Sequence, residues 1–495
     1  MNLPEIGTAA QFEALRGFLA DSGYTQERIC ELLGLGSPER LDLVMLSRDF
    51  SEHVRPPGGL NTLIRLFLLG ESVSVEELES HIPGRTWAAL NALGLIQECP
   101  DDKSRCFCSV ALYPVGNLFI ASDRWSDPDY KPMKSFPDVV YPALTKSTRE
   151  FLRFLPATPC GDFLEVCGGS GIAALVASPY AQHTVSSDIT ERSTRFAEFN
   201  IRLNGASNVS AIQGDMYGAV EGRTFDRIAA HPPYMPVLRP AEIYYDGGED
   251  GEQLTRRIVE GLPRHLNRGG RLYCRTLGTD RKESSFEKRV RSWLGTSEDE
   301  FDIALFISKN LNPAQFATDS ALRRETGQRE VLQWKALFER LEVQELLITM
   351  VVVQRRASER PVFTIRRSLS ADADCVATEN VLQWETGAAD ERCAEKIFAV
   401  APVASTHTEL IVRHRLEAGE FTPRDFNLTS DYPFLMDCQI QPWMAYLISR
   451  CDGSRNIKQL YLECKEAGWI QPDTPPGAFV SLVGTLVSGG FLSVG

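Results

Sequence analysis

The stretch that most constrains the fold is Phe163-Leu164-Glu165-Val166-Cys167-Gly168-Gly169-Ser170-Gly171, followed at once by Ile172-Ala173-Ala174-Leu175. An apolar, strand-forming run enters a glycine-rich turn and leaves it in residues of high helix propensity, the signature of a βα unit. Glycines at such a turn let the backbone adopt a left-handed conformation and approach a ligand closely. Taken alone, the passage fits a tight structural turn as well as a binding loop. Its surroundings narrow the choice. Apolar runs at 163–167, 184–187, 209–213, 227–230, 270–275, 303–308 and 346–353 alternate with helix-like segments. That alternation predicts a mostly parallel, seven-stranded sheet covered by helices on both faces.

The two ends read differently. Apolar spacing predicts helices in residues 1–50, and Pro56-Pro57-Gly58-Gly59 punctuates the chain. Helices are then expected at 60–69, after Ser74 and around 87–93, with a hairpin between 95 and 119. Three short helices and a two-stranded wing suggest a winged-helix-like module, and residues 436–495 repeat the pattern. Residues 361–430 look β-rich and irregular, and the Pro-, Asp- and Ser-rich stretch 124–134 reads as a linker. The expected division is 1–125, 126–356 and 357–495.

Charge limits the partners. With 52 Lys and Arg against 66 Asp and Glu, the net charge is −14. This disfavours nucleic acid and anionic membranes as bulk partners and tilts the end modules toward protein docking. The arginine pairs 323–324, 355–356 and 366–367 read as solvated faces. The longest apolar candidate, 346–353, falls far short of the roughly 18 residues that span a bilayer. The start lacks the basic and apolar regions of a signal peptide, so a cytoplasmic location is expected. Twelve cysteines without a single CxxC pair predict buried thiols and no metal site.

Chemistry-bearing residues follow the glycine turn in order. Asp188 lies 17 positions after Gly171, past the second expected strand, and Gly214-Asp215-Met216 follows the third. A carboxylate at a second strand's end can accept hydrogen bonds from ribose hydroxyls. The fourth strand runs into His231-Pro232-Pro233-Tyr234, and Asp246-Gly247-Gly248-Glu249-Asp250-Gly251 comes next. Val140-Tyr141-Pro142 precedes the whole set.

This set in this order resembles the class I S-adenosylmethionine-dependent methyltransferases, most closely the HemK-like glutamine methyltransferases and their small-domain relatives. The resemblance covers about residues 135–356 and neither end. It implies an α/β, Rossmann-like core, flanked here by the two winged-helix-like modules. It also implies S-adenosylmethionine as cofactor, held by Glu165, Gly168, Gly169, Gly171, Asp188, Asp215 and Met216. His231, Pro232 and Tyr234 would face the methyl acceptor, with Tyr141 and Thr145 in a lid beside it. Two positions depart from the family pattern. Cys167 stands where glycine is usual, and His231 replaces the asparagine of Asn-Pro-Pro-Tyr. Asparagine offers an amide oxygen to a target nitrogen, whereas a neutral histidine offers one acceptor nitrogen and can act as a base near neutrality. His231 is therefore expected either to orient or to deprotonate the acceptor. The implied reaction is methyl transfer to N or O of a peptide, protein or small metabolite. Two alternatives stay open: base N-methylation of ribosomal RNA, and a cofactor-binding pseudo-enzyme that acts as an interaction protein. A homo-oligomer is compatible with all of them.

Overall fold

A computed structural model describes residues 3–46, 48–124, 136–390 and 394–494. Most of the expected linker at 124–134, and with it the expected boundary at 125/126, lies outside the described residues. The chain forms two compact units, residues 1–276 and 277–495.

In the first unit, helices Ala9–Asp21 and Gln26–Leu33 bury Phe12, Leu15, Leu19, Ile29 and Leu33, the positions that helical spacing selects. Residues 59–69 continue as helix, its second part wound as a π turn. A short strand at Val73–Ser74 and helices Val75–His81 and Gly84–Ala92 follow. Ser74 caps the first of these by accepting from the Glu77 amide. Strands Ile96–Glu98 and Arg105–Cys108 then pair antiparallel, and Val73–Ser74 adds to the free edge of the second. A further hairpin joins Ala111–Val115 to Leu118–Ser122.

The α/β core begins with helix α1 (Lys146–Arg153) and strand β1 (Cys160–Val166). It continues through α2 (Ile172–Ala177), β2 (Ala181–Asp188), α3 (Glu191–Asn204), β3 (Val209–Gln213) and β4 (Phe225–Ala230). Helix α4 (Gln253–His265) leads into β5 (Leu266–Arg281). The strands lie parallel in the order β5-β4-β1-β2-β3. The chain thus reverses its winding direction between β1 and β4, the place where open α/β sheets bind ligands beyond their carboxyl ends.

One apolar core runs from the N-terminal helices into this sheet. Phe12 meets Phe199 of α3 edge to face at 5.1 Å, and Arg16 donates to the Leu203 carbonyl at 3.0 Å. Asn200, fully buried, accepts from the Ala121 amide at 2.7 Å. Its amide group donates to the carbonyls of Ala121 and Ser170, both at 2.9 Å. A single side chain therefore ties the hairpin at 118–122 to the glycine turn.

In the second unit, β6 (Phe301–Leu311) pairs antiparallel with β7 (Val343–Arg355) and parallel with β8 (Thr364–Ser368). The seven expected strands are all present, and β8 is an eighth. Its Thr-Ile-Arg-Arg-Ser sequence has no apolar run to announce it, and Arg366 is held by ion pairs to Asp280 and Glu287. The β6–β8 pairing carries this sheet past residue 356. Beyond it, strands Thr408–Glu417, Glu420–Ser430 and Met436–Gln439 form an antiparallel meander. Helices Pro442–Ser449, Ile457–Glu466 and Pro476–Ser488 close the chain, with Leu492–Val494 pairing Pro402–Ala404. Among the described residues no helix is long and apolar enough to cross a membrane.

Candidate active site

Strand register brings the sequence motifs to one edge. Val166 at the end of β1 lies opposite Ser187 of β2 and Ala230 of β4, and Asp188 lies opposite Gln213 of β3. The glycine turn, Asp188, Gly214-Asp215 and His231 therefore all emerge from the carboxyl ends of adjacent strands.

Cys167, Gly169 and Gly171 have φ of 58°, 54° and 77°. Cys167 thus adopts, at a cost of about 1–2 kcal/mol, the left-handed backbone that a glycine would take freely. Burial pushes its thiol well up, so it stays neutral. Gly168 has no room for a side chain: a Cβ there would overlap the Ser186 hydroxyl and lie 3.3 Å from Glu165 Cδ. A Cβ at Gly171 would lie 3.1 Å from Ala197 Cβ, which explains how closely α3 backs the turn.

The Glu165 carboxyl group is engaged within the chain. It is buried, and its two oxygens accept from the amides of Ala173 at 2.9 Å and Ala174 at 3.1 Å. It ties the end of β1 to the start of α2 and so fixes the turn. Burial raises its pKa to about 7, opposed by those two amide bonds. Asp188 accepts from the Gly169 amide and the Thr190 amide, each at 3.0 Å, and remains partly exposed. Asp215 is about half exposed and pairs with Arg257 of α4 at 2.7 Å. Met216 follows it with φ of 51°. The bare turn, the partly open Asp188 and the exposed Asp215 form a cradle of amides and carboxylates suited to a ligand with hydroxyl and amino groups. They fit the cofactor that the resemblance implies.

The other side of the edge is aromatic. The His231 ring lies 5.2 Å from Phe151 and 5.6 Å from Tyr234. Ser147 Oγ sits 3.0 Å from His231 Nε2 and 3.0 Å from the Tyr234 hydroxyl. Burial, followed by the nearby Arg275 cation, pushes His231 down to about 3, so the imidazole is neutral at physiological pH. Arg275 is itself buried on β5 and ion-paired with Glu150 of α1.

Tyr141 stacks on Tyr244 at 5.4 Å, and burial raises its pKa to about 12. Thr145 is buried and caps α1 by accepting from the Thr148 amide at 3.3 Å, so its hydroxyl is used within the chain. The segment carrying these residues is pinned by the N-terminal region. Asp123 accepts from the Val140 amide, Tyr113 from the Ala143 amide and Asp42 from the Lys146 amide, each at 2.8 Å. After Tyr234 the loop folds onto Asp246, which accepts from the amides of Gly248 at 2.9 Å and Ala241 at 3.0 Å.

Sequence reasoning missed Ser147, Glu150, Arg257 and Arg275. Only Arg275 left a signal, as a cation directly after the apolar Leu272-Tyr273-Cys274 of β5.

Known proteins bear on the site directly. A model described as "Methyltransferase small domain" matches residues 141–291, and a model of a domain of unknown function matches residues 21–105. A Methanocaldococcus jannaschii protein provisionally named a protein N5-glutamine methyltransferase is 31% identical over 145 residues, 28% of this chain and 72% of that protein. The ribosomal protein uL3 glutamine methyltransferase of Bradyrhizobium diazoefficiens is 29% identical over 163 residues, 30% of this chain and 51% of that enzyme. The release factor glutamine methyltransferase of Thermodesulfovibrio yellowstonii is 31% identical over 123 residues, 22% of this chain and 44% of that enzyme. The chain thus spans about half the length of the last two relatives, and the matches cover under a third of it.

Proposed function

The chain belongs to the HemK-like, small-domain branch of the class I S-adenosylmethionine-dependent methyltransferases, and from that premise we propose that it methylates a side-chain nitrogen of a protein, a glutamine amide first among the candidates. The observation that carries this reading is the neutral His231, held beside Tyr234 at the edge shared with the glycine turn. The names of the relatives support a protein amide as acceptor.

When bound, S-adenosylmethionine supplies an electrophilic methyl group, so the protein's task is mainly alignment. Gly168, Gly169 and Gly171 would pass the backbone close to the cofactor, and Asp188, Asp215 and Met216 would meet its polar groups. Glu165 serves by holding the turn. On the acceptor side, a histidine whose conjugate acid has a pKa of about 3 is a very weak base. It acts as a hydrogen-bond clamp that orients the nitrogen, rather than as the group that keeps its proton. Pro232 and Pro233 stiffen the segment between the clamp and Tyr234. Tyr141, stacked on Tyr244, would line the lid beside it.

The reading treats residues 1–125 and 357–495 as docking modules on a core at 126–356. It places the reaction in the cytoplasm. The experiment that tests it incubates the full chain with labelled S-adenosylmethionine and a cell extract, then digests the labelled protein for methylglutamine. Label confined to nucleic acid would replace the reading with base methylation.

A further inference from the structure

Ser147 lies outside every motif of the sequence, yet its hydroxyl is within hydrogen-bond distance of both acceptor-side groups. Its Oγ is 3.0 Å from His231 Nε2 and 3.0 Å from the Tyr234 hydroxyl. A serine hydroxyl has one proton and two lone pairs, so it donates to at most one of these neighbours and can accept from either or both. A neutral imidazole carries its proton on one nitrogen only. The three groups therefore have three self-consistent arrangements. In one, Tyr234 donates to Ser147 and Ser147 donates to Nε2, which leaves an N–H at Nδ1. In the other two, His231 donates from Nε2 to Ser147, which either donates to Tyr234 or accepts from it, and Nδ1 keeps a lone pair. Nδ1 has no hydrogen-bond partner among the described residues, and His231 is largely but not fully buried, so this is the nitrogen left for a ligand.

We infer that Ser147 is a positioning residue that fixes His231 as the Nε2–H tautomer and so presents Nδ1 as the hydrogen-bond acceptor for the methyl-accepting N–H. This rests on the reading of the site as an N-methyltransferase. The opposite arrangement would face an acceptor N–H with a second N–H and repel it. Ser147 is well placed for the task. It lies in the first turn of α1, whose Thr145 cap and Asp42 contact fix the backbone around it. Phe151 of the same helix packs on the imidazole. Ring plane and proton position are thus set from one element.

The test uses full-length protein labelled with 15N-histidine, with the His231 signals assigned by their loss in His231→Asn. The expected result is a protonated Nε2 and an unprotonated Nδ1 in the native protein. Ser147→Ala should give a mixture of tautomers, and Ser147→Thr, which keeps the hydroxyl, should restore the native pattern. Label transfer to total cell protein at saturating cofactor should fall about tenfold in Ser147→Ala, the value of one hydrogen bond. The KM for S-adenosylmethionine should be unchanged, and Ser147→Thr should recover the rate. A native Nδ1–H tautomer, or a Ser147→Ala protein with the native tautomer, would overturn the inference. The Nε2–H pattern in a protein that methylates no protein would uphold the tautomer assignment and remove the reading of function instead.

Discussion

Replacing Gly168 by alanine should weaken cofactor binding by steric overlap alone. Gly168 is not among the positive-φ residues, so its backbone is one that alanine accepts. The added methyl, however, would overlap the buried Ser186 hydroxyl and press on Glu165 Cδ at 3.3 Å. Overpacking of this kind costs about 1–3 kcal/mol. The turn relieves the overlap by lifting and must return to its seat to hold a ligand. The cost therefore emerges as a dissociation constant raised about 5- to 150-fold. Calorimetric titration of the full chain with S-adenosylhomocysteine measures it. Ser186→Ala removes the obstructing oxygen, so the double variant should recover most of the loss, a coupling that the double-mutant cycle isolates. Gly169→Ala is the control: among the described residues, chain neighbours aside, nothing lies within 4 Å of its Cβ, but its φ of 54° strains alanine, and Ser186→Ala should not help it. Native affinity in Gly168→Ala, or no recovery in the double variant, would refute the reasoning.

Other outcomes follow from the same geometry. His231→Ala should slow methyl transfer about 10- to 100-fold, the loss of one or two hydrogen bonds to the acceptor, with cofactor affinity unchanged by titration. Because His231 is neutral down to a pKa of about 3, rate–pH profiles at saturating cofactor should show no limb between about pH 6 and 9 that disappears in His231→Asn. Glu165 should make stability fall as pH rises. Its pKa is about 7 folded against an ordinary 4.5, so the native state binds the extra proton between those values, and up to about 3 kcal/mol is lost by pH 8. Thermal melts of Glu165→Gln should lack that slope. Asn200→Leu should destabilise the first unit by at least about 3 kcal/mol in urea titrations. It strands the Ala121 amide and the Ala121 and Ser170 carbonyls, at about 1–3 kcal/mol each.

What the sequence revealed was what local pattern encodes. Buried strands are continuous apolar runs, so β1 to β7 could be found, whereas the arginine-bearing β8 could not. The glycine turn and the Pro-Pro-Tyr segment were legible because each needs special backbone chemistry at fixed spacing. The partners of those motifs were not. Ser147 lies 84 positions from His231, and Arg275 lies 125 from Glu150. Contacts of that separation leave no periodic trace. Glu165 shows the same limit from the other side. Its place at the end of β1 suggested a cofactor ligand, but only the structure reveals that both its oxygens are engaged by α2.

Methyl transfer to protein nitrogen from a site organised by His231 is tested most directly by following labelled methyl from S-adenosylmethionine into the protein pool of a cell extract, with the native chain and with His231→Ala. The expected result is label in protein, recovered as methylglutamine on digestion and reduced at least about tenfold in the variant. Equal labelling by both proteins, or label in the nucleic-acid pool alone, would contradict that role.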